Sequence, residues 1–165
     1  MSEQKPRGNR FYRYAPLIVW TAVIFAASTD ALSGANTSRI IRPFLLWLVP
    51  NISEAKIEIA HFVVRKAAHF TEYAIFALLA VRAFATSSRT TLRRRYFIVA
   101  FLLIALFSLS DEFHQSFVPT RTGSIYDSLI DMSGGLTVLV IFALWQRRTS
   151  QRSPQITQIT QIKNL

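Results

Sequence analysis

The sequence predicts an all-α integral membrane bundle of four transmembrane helices, with a short interfacial or re-entrant helix between spans one and two. Three observations predict this fold. The apolar residues, 51% of the chain, are gathered in long blocks. The charged residues, 17% of the chain, lie mostly between those blocks. Segments rich in Lys and Arg alternate with segments that are poor in them, as the loops of a multi-spanning membrane protein do.

The first apolar block runs from Tyr14 to Thr29 and follows a basic segment at residues 1–13. A basic flank before a modest apolar core is also typical of a secretory signal peptide, and Ala26-Ala27-Ser28 resembles a cleavage site. Because further apolar blocks follow, we interpret this segment as an uncleaved first span.

Three further blocks complete the predicted spans. The second runs from His61 to Ala85, with its charges in its first half, and the fourth runs from Ser124 to Trp145. The third, Tyr96 to Ser110, is short for a span of about 20 residues. We therefore expect the third helix to continue to Gln115.

The remaining segments are assigned by length and composition. Ile40 to Val49 is apolar but too short to cross a bilayer, which indicates the interfacial or re-entrant helix. Pro43 suits the first turn of that helix, and Asn51 or Ser53 could cap the next one. The polar residues 147–165 are predicted to form a flexible cytoplasmic tail, which leaves a membrane domain at 14–146.

The basic residues also predict the orientation. Thirteen of the nineteen Lys and Arg residues fall in three segments that four spans would place on one side of the membrane. The positive-inside rule assigns that side, with both termini, to the cytoplasm. The net charge of +10 therefore reflects membrane topology, and no nucleic-acid partner is predicted. The chain has no cysteine, which excludes disulfides and thiolate metal sites.

Polar residues of three spans gather in the predicted outer half. Eight of the nine acidic residues and all three histidines lie on that side. A helix advances about 100° per residue, so spacing shows which side chains share a face. The shared faces are His61, Arg65, His69 and Glu72 in span two, Ser108, Asp111, Glu112 and Gln115 in span three with His114 beside Asp111, and Ser124, Asp127, Asp131 and Gly134 in span four. These groups form either a functional pocket or salt bridges that hold the helices together, since charges in lipid need partners or water.

The first functional hypothesis is a pocket for an anionic lipid or sugar-phosphate headgroup. Arg65, Lys66 and Arg121 would hold the phosphate, since Arg offers a fork of donors and Lys a point charge. The partners would be membrane lipids. The candidate ligand-binding residues are Arg65, Lys66, His69, Glu72, Glu112, His114, Gln115, Arg121, Asp127 and Asp131.

Two other functions remain open. A membrane-embedded hydrolase or transferase would use acid/base or metal chemistry, with the candidate catalytic residues His69, His114, Asp111, Glu112 and Asp127. No H-E-x-x-H, phosphate-binding glycine loop or G-x-S-x-G is present, so no metal ligand set and no cofactor is predicted. A proton-coupled carrier would need ionisable groups along a continuous path, and the predicted inner half of every span lacks them.

Two segments resemble a known family. RKAAHFTEYAIFALL, from Arg65 to Leu79, and SDEFHQSFVPTRTGSIYDSLIDMSGG, from Ser110 to Gly135, are similar to the VanZ-like family of bacterial membrane proteins. The matching positions are Arg65, Lys66, His69, Phe70, Glu72, Tyr73, Asp111, Glu112, His114, Gln115, Phe117, Arg121, Asp127 and Gly134. Two positions depart from the pattern, Thr120 where Gly is common and Asp131 where Asn is common.

The resemblance implies a bacterial cell-envelope protein of the cytoplasmic (inner) membrane. In that context the expected lipid partners include lipid-linked cell-wall intermediates. The founding member of the family is linked to low-level resistance to the glycopeptide teicoplanin, so a contribution to glycopeptide resistance is an expectation. The resemblance supplies a fold and a cellular context, and it does not supply a reaction, a ligand or an oligomeric state.

Overall fold

The structure, a computed structural model, describes the backbone of residues 10–29, 34–119 and 123–163, and the side chains at 10–29, 37–119 and 123–149. Within these ranges the chain is helical and contains no strand. The helices are α1 (Arg10–Ala27), α2 (Gly34–Leu48), α3 (Glu54–Ala85), α4 (Thr90–Arg94), α5 (Tyr96–Gln115) and α6 (Ile125–Lys163).

The prediction of an all-α membrane protein is confirmed, and that of four spans is confirmed for three helices. By length and composition, α3, α5 and the Ile125–Thr149 part of α6 can each cross a membrane. α1 has 18 residues and carries Arg10 and Arg13 in its first four positions, so its apolar stretch is shorter. A span at α1 therefore stays a proposal.

The helix bounds agree with the sequence best at α5. α5 runs from Tyr96 to Gln115, as predicted. α3 starts well before the predicted His61, because Ser53 is the extended N-cap and the helix opens at Glu54. Since a helix needs only one apolar face, the charged turns at the start of α3 do not interrupt it.

α2 and α6 are longer than predicted. α2 begins at Gly34, so Pro43 lies in its interior, and the prediction that Pro43 occupies the first turn is wrong. The interfacial position of α2 stays a prediction. α6 keeps a helical backbone to Lys163, beyond its apolar part, so the predicted tail at 147–165 begins inside this helix.

α3 is the centre of the bundle, and α1, α2, α5 and α6 all pack against it. Its residues Tyr73, Phe76 and Ala80 are fully buried, and they contact a core that includes Ile104 of α5 and Leu139 of α6. Large apolar side chains on the outward faces are exposed, among them Ile18, Leu102, Leu106 and Ile141. An apolar exterior of this extent is typical of a surface covered by lipid.

The ends of the helices that carry the arginine clusters lie together. Arg13 Nη1 donates to Ser88 Oγ at 3.3 Å, which joins the start of α1 to the segment after α3. The Tyr96 hydroxyl donates to Gln146 Oε1 at 2.8 Å, which joins the start of α5 to α6. These contacts bring the arginine-bearing helix ends together, and the orientation of the bundle in the membrane stays a prediction.

Two glycines of α6 set its distance to its neighbours. A Cβ atom on Gly134 would overlap the backbone of Phe70 in α3, and one on Gly135 would lie 2.8 Å from Ile104 Cδ1 of α5. Both glycines therefore permit close helix approach.

Candidate functional site

A buried polar cluster lies where α3, α5 and α6 meet. It contains His69 of α3, Asp111 and Glu112 of α5, and Asp131 of α6, and none of these residues is more than 8% exposed. Each offers one nitrogen or oxygen atom, and these four atoms lie within 4.8 Å of one another. We call these four residues the acidic cluster.

Asp131 is fully buried at the centre of the cluster. Its Oδ1 lies 3.2 Å from His69 Nδ1, and its Oδ2 lies 3.2 Å from Ser108 Oγ. The Ser108 hydroxyl also lies 3.1 Å from the carbonyl oxygen of Ser128. Because a hydroxyl donates only one proton, Ser108 serves one of these two acceptors at a time.

The two carboxylates of α5 differ in how fully they are hydrogen-bonded. Asp111 accepts from the hydroxyl of Ser28, the residue after α1, at Oδ1 and from Gln115 Nε2 at Oδ2, the latter at 3.0 Å. Glu112 Oε2 accepts from the backbone N–H of Ser124 at 2.6 Å. Glu112 Oε1 is buried and has no hydrogen-bond partner among the described residues.

A polar cavity of about 610 Å³ opens beside the cluster, between α2, the first half of α3 and the start of α6. We call it the outer pocket. Its lining consists of Ser38, Arg42, Glu54, Ile57, Glu58, His61, Phe62, Arg65, Lys66, Ser124 and Asp127.

Two of the three cations of the outer pocket are already paired. Lys66 Nζ donates to Asp127 Oδ1, across the α3–α6 boundary. Arg42 Nη2 pairs with Glu54 Oε1, and this carboxylate raises the pKa of Arg42. Arg65 makes no hydrogen bond or ion pair with the residues that the structure describes, and its side chain is half-buried in the pocket wall. The outer pocket therefore holds one guanidinium whose donors are available.

A smaller cavity of about 110 Å³ lies on the other side of Arg65. Arg65, His69 and Glu72 contribute its ionisable lining. Arg65 therefore borders both cavities, and His69 connects the smaller one to the acidic cluster.

The structure brings most of the predicted site residues to this end of the bundle. His69, Asp111, Glu112 and Asp131 form the cluster with Gln115 beside it, Lys66 and Asp127 form the ion pair, and Arg65 and Glu72 line the cavities. His114 lies apart from them, since its ring packs against Phe25 of α1 with the centroids 4.5 Å apart. Arg121 lies outside the described residues, so its role stays a prediction.

Sequence reasoning missed three contributors. Ser28 donates to Asp111 from the end of α1, where the sequence suggested only a cleavage motif. Arg42 and Glu54 reach the outer pocket from α2 and the start of α3. Long-range pairing leaves no local sequence signal, but the serine ending an otherwise apolar span was a polar group in need of a partner.

The arrangement can perform two kinds of chemistry. The outer pocket combines an available guanidinium with carboxylates and hydroxyls, a mixture that suits a phosphate-bearing polar group. The acidic cluster concentrates three carboxylates and an imidazole, which are metal-ligand and acid/base types. The two regions are adjacent and have different residues.

Comparison with known proteins supports the family resemblance. The family model described as VanZ/LLP1 matches residues 13–146, which includes both segments that carry the resemblance. No curated protein and no solved structure matches the chain. Family membership fits a protein of the cell envelope, and three long apolar helices fit a multi-pass membrane protein. The chain belongs to the VanZ/LLP1 family.

Proposed function

We propose that the protein binds a phosphate-bearing lipid headgroup in the outer pocket, on the side of the bacterial inner membrane that faces away from the cytoplasm. The headgroup we favour is a sugar phosphate on a polyprenyl carrier. In this proposal α1 also crosses the membrane, which gives four spans, and both termini lie in the cytoplasm. The gathering of the arginine-rich helix ends at one end of the bundle supports this orientation, because positive loops stay inside.

The observation that carries the proposal is the available guanidinium of Arg65. Lys66 and Arg42 are paired with Asp127 and Glu54, whereas Arg65 lines a cavity of about 610 Å³ and has no partner among the described residues. A half-buried guanidinium is stabilised by an anion that accepts hydrogen bonds from two of its N–H groups, and phosphate oxygens match that spacing.

The rest of the pocket suits the sugar. Glu58 is exposed in the lining and can accept hydrogen bonds from hydroxyls. His61 contributes a buried Nε2 that has no hydrogen-bond partner within the described part of the chain. An acceptor and an imidazole beside a guanidinium favour a headgroup with both phosphate and hydroxyls over a bare phosphate.

Exposed aromatic residues lie on two of the helices that line the pocket. Trp47 of α2 is 77% exposed and Tyr126 of α6 is 74% exposed. Trp and Tyr favour the boundary between the headgroups and the hydrocarbon. A lipid could therefore place its phosphate on Arg65 while its chain stays in the bilayer.

Binding of a polyprenyl phosphate to purified protein in nanodiscs tests the proposal. Arg65→Gln should weaken binding by about tenfold to a hundredfold, because a charge-assisted hydrogen bond contributes roughly 1.5–3 kcal/mol. Arg39→Gln is the matched control, since Arg39 is an exposed arginine of α2 that does not line the pocket. Equal affinities for Arg65→Gln and the unsubstituted protein would exclude the proposed site.

A contribution to glycopeptide resistance is the cellular part of the proposal. Cells that express the protein should become less susceptible to teicoplanin, and cells that express the Arg65→Gln variant should not. Arg39→Gln should retain the effect. If both variants give the same resistance at equal protein levels in the membrane, resistance does not depend on the outer pocket.

A further inference from the structure

Among the described residues, the acidic cluster contains more carboxyl groups than cationic groups. Asp111, Glu112 and Asp131 contribute three carboxylates, and His69 is the one group of the cluster that can carry a positive charge. Lys66, three residues before His69, is paired with Asp127. Buried carboxylates require compensation by cations, protons or hydrogen bonds.

Hydrogen bonds satisfy the cluster only in part. Among the described residues, each bonded carboxylate oxygen has one polar partner, although a carboxylate oxygen can accept two bonds. Glu112 Oε1 has none, and Glu112 is 6% exposed. A buried carboxylate oxygen without a donor, within a group of four potential ligands, is a second and independent indication of a missing positive partner.

We propose that His69, Asp111, Glu112 and Asp131 bind one divalent cation. Their donor set is three oxygens and one nitrogen. This set suits Mn²⁺ or Zn²⁺ better than Mg²⁺ or Ca²⁺, because the latter two prefer oxygen ligands alone. This site is separate from the outer pocket and does not depend on headgroup binding.

The geometry is compatible with a common centre. Ligand atoms bonded at about 2.0–2.2 Å lie at most about 4.4 Å from one another. The four candidate atoms already lie within 4.8 Å, so a small rotation of the carboxylates brings them to an ion. Because the ligands come from α3, α5 and α6, the ion would also hold the three helices together.

A second layer of contacts holds the candidate ligands. Gln115 and Ser28 donate to Asp111, Ser108 lies beside Asp131, and the Ser124 N–H fixes Glu112. Partners of this kind orient the ligands of established metal sites. Access is available through the cavity of about 110 Å³ that His69 lines with Glu72.

The test measures metal content directly. The purified full-length protein, carrying a tag without histidine, is treated with a chelator, incubated with Mn²⁺ or Zn²⁺, and desalted. Elemental mass spectrometry should then find about one ion per chain, as a single four-ligand site requires. Glu112→Gln and Asp131→Asn should each reduce the bound metal at least tenfold, a loss typical of removing a charged ligand. Glu58→Gln, which removes an exposed carboxylate outside the cluster, should leave it unchanged.

Two results would overturn the proposal. One is that the unsubstituted protein is helical and monodisperse yet retains neither ion. The buried carboxylates would then be neutralised by protons. The other is metal content that falls equally with Glu58→Gln and with the cluster variants, which would show surface binding only. If a cluster variant fails to fold, the unsubstituted protein is titrated with Mn²⁺ and free Mn²⁺ is measured by electron paramagnetic resonance. Binding of one ion per chain supports the proposal, and no binding overturns it.

The metal proposal and the headgroup proposal fail independently. Arg65→Gln should lose polyprenyl phosphate and keep the ion, because Arg65 is not a ligand in the cluster. Loss of metal from Arg65→Gln, in protein that remains folded, would contradict the separation of the two sites.

Discussion

Gly134 in α6 lies so close to the backbone carbonyl of Phe70 in α3 that a Cβ atom on Gly134 would overlap that oxygen and stand 3.0 Å from its carbon. The atoms that it would meet belong to the main chain, which cannot move aside as a side chain can. The contact lies one residue from His69 and three from Asp131, so the distance between these helices also sets the distance between two members of the acidic cluster.

Gly134→Ala should therefore lower stability. Overpacking costs about 1–3 kcal/mol, and in this position it forces α3 and α6 apart. We expect a lower unfolding temperature in detergent, monitored by tryptophan fluorescence. Ser133→Ala is the control on the same helix, because Ser133 is exposed and bonds only to its own helix. An unfolding temperature for Gly134→Ala at or above that of the control would contradict the close approach.

The ion pair between Lys66 and Asp127 predicts a coupling across the α3–α6 boundary. Their side chains are 23% and 11% exposed, so the pair is largely buried. Lys66→Met leaves a carboxylate without its partner and should cost more than the roughly 1 kcal/mol of an exposed pair, approaching the 3–5 kcal/mol of a fully buried one.

The double variant Lys66→Met with Asp127→Leu separates pairing from packing. It should recover most of the stability that Lys66→Met loses, because no unpaired charge remains. Additive losses in the double-mutant cycle, measured by thermal unfolding, would mean that the two side chains do not interact.

Trp20 of α1 forms a hydrogen bond to the backbone of α3. Its indole Nε1 donates to the backbone oxygen of Glu72 at 2.9 Å, and a phenyl ring has no such donor. Trp20→Phe should lower the free energy of unfolding by about 1–2 kcal/mol, because the backbone oxygen of Glu72 loses the hydrogen bond from the indole. Trp47→Phe is the matched control, since Trp47 is 77% exposed and the change there should be close to zero. Equal losses in thermal unfolding would show that α1 is not held by Trp20.

The absence of cysteine allows a direct test of topology. Single cysteines at Ser2, Thr90 and Thr149 should react with a membrane-impermeant maleimide only after the cells are permeabilised. A cysteine at Ser53, the N-cap of α3, should react in intact cells, because the proposed orientation places this end of α3 outside the cytoplasm. Labelling of Ser2→Cys in intact cells would show that α1 does not cross the membrane in the proposed direction.

Sequence periodicity predicted the polar faces well because a helix fixes the angle between its own residues. On α5, Ser108, Asp111, Glu112 and Gln115 lie within about 100° of one another, and the structure buries all four. His114 lies about 110° from the middle of that stripe, and it packs against Phe25 instead. Counting along the helix could therefore have excluded His114 from the site.

Contacts between helices were less predictable. Each helix can rotate about its axis, and nothing local to Ser28 or Arg42 indicates which distant carboxylate it meets. The end of α6 was missed for a different reason. Its sequence is mostly polar and gives only a weak packing signal, yet its backbone continues the helix to Lys163.

The shared position of Arg65 has a kinetic consequence. Arg65 lines both cavities, so a phosphate that binds its guanidinium from the outer pocket would also hold one wall of the smaller cavity, which leads to His69. An ion bound at the cluster would then exchange with a tracer ion more slowly while the lipid is bound.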